Sequence, residues 1–147
     1  MAKVLIAEDD LMIADMAGEF LSASGYEVCG IARTVCEAVA LSNAHQPDLA
    51  LIDLRLARGD IGTEIVRQLP AGERPGILYA SGNASQFALT KNDGEASISK
   101  PYSAEDLVRS LEIVAEILAT GIASMPFPRG FRVLPPPKSA PGPQPDG

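Results

Sequence analysis

Short apolar runs rich in Val, Ile and Leu alternate along the chain with segments in which apolar residues recur at helical spacing. This alternation is typical of βαβ units, in which helices cover both faces of a parallel sheet. The third and fourth runs are apolar enough to be buried on both faces. The pattern predicts strands at residues 3–7, 27–32, 49–54, 76–80 and 97–99.

The segments between these runs carry helix-end signals. Thr34 and Glu37 are spaced as a capping box, in which a hydroxyl and a carboxylate satisfy the free N–H groups of a helix start. The segment around residues 85–91 has the weakest helical signal, because a Lys-Asn-Asp-Gly stretch interrupts it. The predicted helices span residues 11–23, 35–44, 63–69, 85–91 and 104–120.

The chain is long enough for one domain with a substantial core. It has 147 residues, 46% of them hydrophobic, and we expect a globular domain over residues 1–121. Residues 125–147 contain 8 of the 12 prolines, so we expect residues 122–147 to be an extended or disordered Pro-rich tail. This tail is either an inert linker or a segment that docks on this domain or on a partner through its apolar residues, Phe127, Phe131, Val133 and Leu134.

Charge and cysteine content exclude several functional classes. The formal net charge of −7 divides into −9 over residues 1–124 and +2 over residues 125–147, and an acidic body argues against DNA as a partner. Cys29 and Cys36 lack CxxC spacing, and there is one histidine, so a zinc site or disulfide framework is not predicted. No signal peptide or membrane span is recognisable, and we expect a cytoplasmic protein.

Polar residues follow four of the predicted strands. Glu8-Asp9-Asp10 comes directly after the first, and the others are followed or ended by Asp53, Ser81 and Lys100. In an open parallel sheet the carboxyl ends of the strands share one edge, so these side chains are expected to meet. Clustered carboxylates repel one another in a partly desolvated cleft, and a divalent cation relieves that repulsion. This constellation is more specific than any one of its members.

Each of these residue types has a role in phosphoryl transfer onto a carboxylate. Asp53 would be the nucleophile. Mg²⁺ would be held by the oxygens of Glu8, Asp9 and Asp53, because it is a hard ion that prefers carboxylates, phosphate oxygens and water. Lys100 would neutralise a phosphate oxygen, and Ser81 would donate a hydrogen bond to it.

Four segments carry a family resemblance: VLIAEDD, PDLALIDLRL around Asp53, ILYASGN, and SKPYS with Lys100. Over roughly residues 2–120 the chain resembles a response-regulator receiver domain of two-component signalling. The resemblance implies a flavodoxin-like (βα)5 α/β fold with a parallel five-stranded sheet in the order 2-1-3-4-5 and five flanking helices. It also implies Asp53 as the phosphoacceptor, Glu8 and Asp9 as metal-pocket acids, and Asp10 as a helix N-terminal residue.

The chain departs from the family pattern at positions that bear on switching and phosphate lifetime. Ser97 stands where the resemblance implies a switch aromatic, three residues before the lysine. Arg55 and Asn83 stand two residues after Asp53 and Ser81, positions that in this family influence phosphate hydrolysis. The bulk and charge of Arg55 lead to the hypothesis that the phosphorylated state is longer-lived than average. The SGN segment resembles a receiver subgroup with an atypical fourth helix.

The resemblance implies a sensor histidine kinase or phosphotransfer protein as the phosphate donor. The 27 residues after position 120 are too few for a DNA-binding or catalytic output domain, so we expect a signalling domain that acts through a downstream protein, not an enzyme. A homodimer is left open, through Val108, Ile113 and Ile117 on the last helix.

Three other functions are each compatible with part of the sequence. An unphosphorylated receiver-like adaptor is favoured by Ser97. A metal-dependent small-molecule phosphatase usually carries a second acid two residues after its nucleophilic aspartate, and this chain has Arg55 there. A flavodoxin-like nucleotide binder needs a loop that accepts phosphate after the first strand, where Glu8-Asp9-Asp10 would repel it.

Overall fold

The computed structural model describes residues 2–70, 72–82 and 88–137. Within these residues one sheet has the order β2-β1-β3-β4-β5-β6, in which the first five strands are parallel and the sixth is antiparallel to β5. The predicted flavodoxin-like order 2-1-3-4-5 is therefore confirmed. The strands are β1 (Lys3–Ala7), β2 (Glu27–Ala32), β3 (Leu49–Asp53), β4 (Gly76–Ser81), β5 (Ala96–Ser99) and β6 (Phe131–Val133).

The helices begin where the predicted caps stand. The Thr34 hydroxyl accepts the Glu37 N–H at 3.2 Å, and the Glu37 carboxylate accepts the Arg33 N–H at 2.7 Å. Asp10 accepts the N–H groups of the second and third residues of the first helix, as expected of an N-cap. The described α-helices are α1 (Leu11–Ala23), α2 (Val35–His45), α3 (Thr63–Gln68) and α4 (Ala104–Thr120), with a 3₁₀ turn at Ala57–Gly59.

The predicted helix at residues 85–91 falls partly on residues 83–87, which lie outside the described residues. Residues 88–91 are described and are not helical. Arg74 organises the segment 88–95, since its guanidinium donates to the Asn92 carbonyl at 2.8 Å and to Glu95 Oε1 at 2.7 Å. Hydrogen bonds from a side chain on another loop therefore shape the described part of this connection.

The sixth strand was not predicted. Residues 131–133 pair with β5 in the register Val133 with Ala96, Arg132 with Ser97 and Phe131 with Ile98. Leu134 follows with 1% of its surface exposed. The apolar run from Phe131 to Leu134 is short and stands among prolines, so composition alone suggested an extended or disordered tail. The free edge of β5 supplies the backbone partners that turn it into a strand.

The core lies on both faces of the sheet. One buried cluster joins the sheet to α2 and α3, and the other joins it to α1 and α4. Every residue of β3 and β4 is buried, as predicted. On α4, Ile113, proposed as part of an exposed dimer face, has 0% of its surface exposed, whereas Leu118 has 52% exposed.

Gly62 allows the chain to pass close behind the end of β3. A Cβ at Gly62 would lie 2.3 Å from the Asp53 carbonyl oxygen and 2.7 Å from Ile52 Cγ2. Its φ of −57° and ψ of −32° are open to any residue, so the requirement for glycine is purely steric.

Replacing Gly62 by alanine is expected to destabilise the protein by about 1–3 kcal/mol, because the backbone of Asp53 must move to admit the methyl group. The matched control is Gly18→Ala in α1, whose Cβ would meet Ile6 Cδ1 at an ordinary 3.8 Å. Higher helix propensity should stabilise that variant by up to about 1 kcal/mol. Urea unfolding midpoints measure both changes, and equal midpoints for the two variants would contradict the steric role of Gly62.

Candidate functional site

Three strand ends bring two carboxylates and one ammonium group together. Lys100, directly after β5, places its Nζ 3.0 Å from Asp53 Oδ2 at the end of β3. The same Nζ donates a hydrogen bond to Oε1 of Glu8, which directly follows β1. Glu8 and Asp53 are only 4% and 8% exposed. The predicted convergence of these three residues is thus found in the structure, as a buried ion-pair cluster.

A group of carboxylate oxygens next to this cluster has the composition of a hard-cation site. Glu8, Asp9 and Asp53 each offer one oxygen, and the three oxygens lie within 4.8 Å of one another. Asp9 is half-buried, so the group opens towards solvent on its side. Because Mg²⁺ prefers a few carboxylates and keeps water or phosphate oxygens as its other ligands, this donor set fits it.

Burial and mutual repulsion change the protonation of the cluster. Loss of solvation, followed by the hydrogen-bonded Asp53 carboxyl, raises the pKa of Glu8 to about 7, although Lys100 opposes the shift. Burial alone would lower the pKa of Lys100, but its hydrogen bonds to Glu8 and Asp53 prevail and raise that pKa. Lys100 therefore stays charged, while Glu8 is the member that takes up a proton near neutrality.

Hydrogen bonds from nearby backbone N–H groups orient the two carboxylates. Asp53 Oδ1 accepts the N–H of Arg55 at 3.2 Å, and Glu8 Oε2 accepts the N–H of Asp10 at 3.3 Å. The Asp10 carboxylate itself caps α1, with Oδ1 3.0 Å from the N of Met12. Asp10 is thus occupied by the helix start, in the supporting position that the resemblance implied.

The other predicted site residues differ in where they lie. Ser81 is buried at the end of β4, and its carbonyl accepts the Lys100 N–H at 3.0 Å. The side chain of Arg55 is exposed near the site. Asn83 lies outside the described residues. Ser97 is buried within β5, two residues before the site edge, and pairs with the fully buried Tyr79 of β4.

Two features beside the site were missed from the sequence. The first is Gly62, which leaves room for the backbone of Asp53. Its signal in the sequence was a glycine at the start of the helix that follows the acidic strand end. Tyr102 is half-buried next to Lys100 and lines an apolar hollow with Ile13, Met16 and Pro101. The hollow joins residues far apart in the chain, so sequence pattern alone offered no signal for it.

None of the helices in the described ranges combines the length and the apolar character needed to cross a membrane.

Comparison with known proteins places this geometry in a family. The response regulator receiver domain family matches residues 4–112. The transcriptional regulatory protein PdtaR of Mycobacterium tuberculosis is 33% identical over 115 residues, which cover 76% of this chain and 55% of PdtaR. The phyllosphere-induced regulator PhyR of Methylorubrum extorquens is 30% identical over 102 residues, which cover 68% of this chain and 38% of PhyR. This chain thus spans about half or less of these two relatives.

Solved structures show the same fold. The signal receiver domain of a modulated diguanylate cyclase from Desulfovibrio desulfuricans matches with a TM-score of 0.69 and 27% identity, covering 83% of this chain and 99% of that one. The chemotaxis response regulator CheY4 of Vibrio cholerae matches with a TM-score of 0.69 and 26% identity, covering 78% of this chain and 98% of that one.

The raised pKa of Glu8 predicts a pH dependence of stability. Between the ordinary value of 4.5 and the folded value of about 7, the unfolded chain has lost the proton that folded Glu8 keeps. The contribution of this group is therefore full at low pH and is lost as the pH rises through about 7. In EDTA, the difference in unfolding free energy between wild type and Glu8→Gln should change between about pH 5 and about pH 8.

Urea titrations at several pH values measure this difference. Glu19→Gln is the matched control, because Glu19 is an exposed glutamate on α1 and its loss should leave the wild-type pH profile unchanged. Identical profiles for wild type and Glu8→Gln would contradict the prediction.

Proposed function

This chain belongs to the response regulator receiver domain family of two-component signalling, and on that premise we propose that Asp53 accepts the phosphoryl group. Receiver domains are signalling modules, not classical enzymes. The observation that carries the proposal is the buried contact of Lys100 with both Asp53 and Glu8. The Asp53 carboxylate lies beside the Lys100 ammonium group and next to oxygens that could bind a metal ion, and such a carboxylate is well placed to accept a phosphoryl group.

The proposed donor is a phosphohistidine on a sensor histidine kinase or phosphotransfer protein. A carboxylate oxygen of Asp53 attacks phosphorus, the P–N bond to the imidazole breaks, and the departing imidazole takes up a proton. The product is an acyl phosphate on Asp53. Lys100 would pair with an oxygen of the transferred group, and Ser81, buried at the end of the neighbouring strand, would donate a hydrogen bond to it.

Glu8, Asp9 and Asp53 are the residues that would hold Mg²⁺, because their oxygens already lie within 4.8 Å of one another. The ion supplies positive charge for the phosphoryl oxygens when it is bound. Asp9 is the most exposed of the three, so it would complete the coordination from the solvent side.

The proposed output is a change in the binding of a downstream protein, or onward transfer of the phosphate. Phosphorylation shifts an existing equilibrium between two conformations when the phosphoryl group makes better contacts in one of them than in the other. We place the receiver domain at residues 1–121 and the protein in the cytoplasm.

Incubation with acetyl phosphate and Mg²⁺ is expected to add one phosphoryl group to the wild-type protein, as measured by intact mass. Asp53→Asn should gain none, because its amide is not a nucleophile. Asp15→Asn is the matched control, since it removes an exposed acid from α1 and should be phosphorylated like wild type.

Asp9→Asn should require a higher Mg²⁺ concentration for the same extent of phosphorylation. Phosphate on Asp53→Asn at the wild-type level, or phosphorylation of wild type that does not depend on Mg²⁺, would overturn the assignment.

Arg55 is expected to prolong the phosphorylated state. Its N–H donates to Asp53 Oδ1, and we expect the bulk and charge of its exposed side chain to restrict the approach of a hydrolytic water. The half-life of phosphorylated Arg55→Asn should therefore be shorter than that of wild type, as followed by intact mass after removal of the donor. Arg58→Asn is the control for loss of an exposed arginine on the same loop. A longer half-life in Arg55→Asn than in wild type would contradict the hypothesis.

A further inference from the structure

Residues 121–137, here called the strap, fold back over the domain after α4. The strap leaves α4 at Gly121, whose φ of 78° turns the chain, and then runs back along the helix, where it contacts Arg109 and Glu116. It continues into β6 along the edge of β5 and ends beside the segment 88–95. The strap thus adds the terminal strand of the sheet on the β5 side.

The first part of the strap, which follows α4 directly, is attached to the helix by polar groups at the surface. The Arg109 guanidinium donates to the Ser124 carbonyl at 2.9 Å and to the Pro126 carbonyl at 3.4 Å. The Glu116 carboxylate accepts the Ser124 N–H at 3.1 Å. Exposed hydrogen bonds of this kind exchange readily with water, so they guide the strap without fixing it.

The second part of the strap, from β6 onwards, is attached by backbone pairing and one apolar side chain. Leu134 is 1% exposed and belongs to the buried cluster that also contains Tyr79 and Leu89. Its N–H donates to the Glu95 carbonyl at 3.0 Å, and the carbonyl of Pro135 accepts the Lys91 N–H at 2.9 Å. Leu134 therefore occupies an apolar pocket in this cluster, here called the Leu134 socket. Backbone groups of Lys91 and Glu95 flank the pocket.

These features are those of a strand-addition site. In such sites, main-chain hydrogen bonds along a sheet edge supply affinity, and pockets for alternate side chains supply selectivity. Phe131 and Leu134 point to opposite faces of the sheet, because they pack on the two different clusters. The strap thus shows which ligand the β5 edge takes: an extended segment, antiparallel to β5, with an apolar residue for the socket.

The strap also has fewer buried residues than the strands beside it. Most of its residues are exposed, and Leu134 is its single fully buried residue. Elements with few buried contacts open before the rest of a domain does. Because the strap is tethered, its high effective concentration keeps it in place against weak competitors.

We propose that the β5 edge and the Leu134 socket form a peptide-binding groove, which the strap occupies in cis and which an extended segment of a partner protein enters by displacing it. The groove adjoins the site of the proposed phosphorylation, on which this part of the inference rests, since the Ser99 N–H donates to the Gly130 carbonyl at 3.1 Å and Ser99 precedes Lys100. A partner strand in the groove would therefore touch the residue next to the site lysine.

The test uses the full chain and a fluorescein-labelled peptide with the sequence of residues 129–137. In Leu134→Asp the strap should leave the socket, because a carboxylate cannot be buried there unpaired. Fluorescence anisotropy should then show the peptide binding this variant at least tenfold more tightly than wild type. Hydrogen exchange should show faster exchange of the β5 amides in the variant, with protection restored by the peptide.

Arg132→Gln is the matched control, because it changes an exposed side chain of the same strand and should behave like wild type. Gly130→Val is the second variant: it removes no core side chain, but the φ of 80° at Gly130 disfavours valine and should release the strap. Peptide binding no tighter than to wild type in a folded variant would overturn the proposal. Unfolding of both variants would overturn it too, since the strap would then be indispensable to the core.

Discussion

Two ionised carboxylates are costly to bury side by side without a cation, and this constraint ties the structure to its site. Glu8 and Asp53 end neighbouring strands, and their burial would be costly if Lys100 did not reach both. Lys100 comes from β5, two strands away from β3, so the cluster exists only when the sheet order and register are complete. The affinity of the site for positive charge is thus built into the folding of the whole sheet.

Sequence pattern predicted the parts that depend on local chemistry. The apolar runs located β1 to β5, and the hydroxyl and carboxylate spacing at Thr34 and Glu37 located the start of α2. The acids and the lysine of the site followed from a single topological rule, that parallel strands end on one edge. The strand and helix-cap signals are strong because each of them is carried by residues close together in the chain, and the site needs only the rule on strand ends in addition.

The parts that depend on distant neighbours were not predicted. β6 forms because β5 has a free edge, and Ile113 of α4 is buried although it was proposed as part of an exposed dimer face. The steric role of Gly62 arises from a backbone that approaches it in space. Tyr79 of β4 pairs with Ser97 of β5, and its hydroxyl donates to the Asp93 carbonyl at 2.7 Å. The aromatic ring in this region therefore belongs to β4 and not to β5, and only the pairing of the two strands shows this.

The two edges of the sheet differ, and the difference limits how copies of the chain can associate. Within the described residues the sheet ends in β2 on one side and in β6 on the other, and β6 is a strand of only three residues between Pro128 and Pro135. Growth of a continuous intermolecular sheet requires two open edges on every copy. Short strands and prolines blunt an edge, so the β6 side offers little backbone for pairing with another copy, whereas the six residues of β2 form a longer edge. The strap thus leaves a short, proline-flanked edge on its side of the sheet, which disfavours continuous growth of an intermolecular sheet.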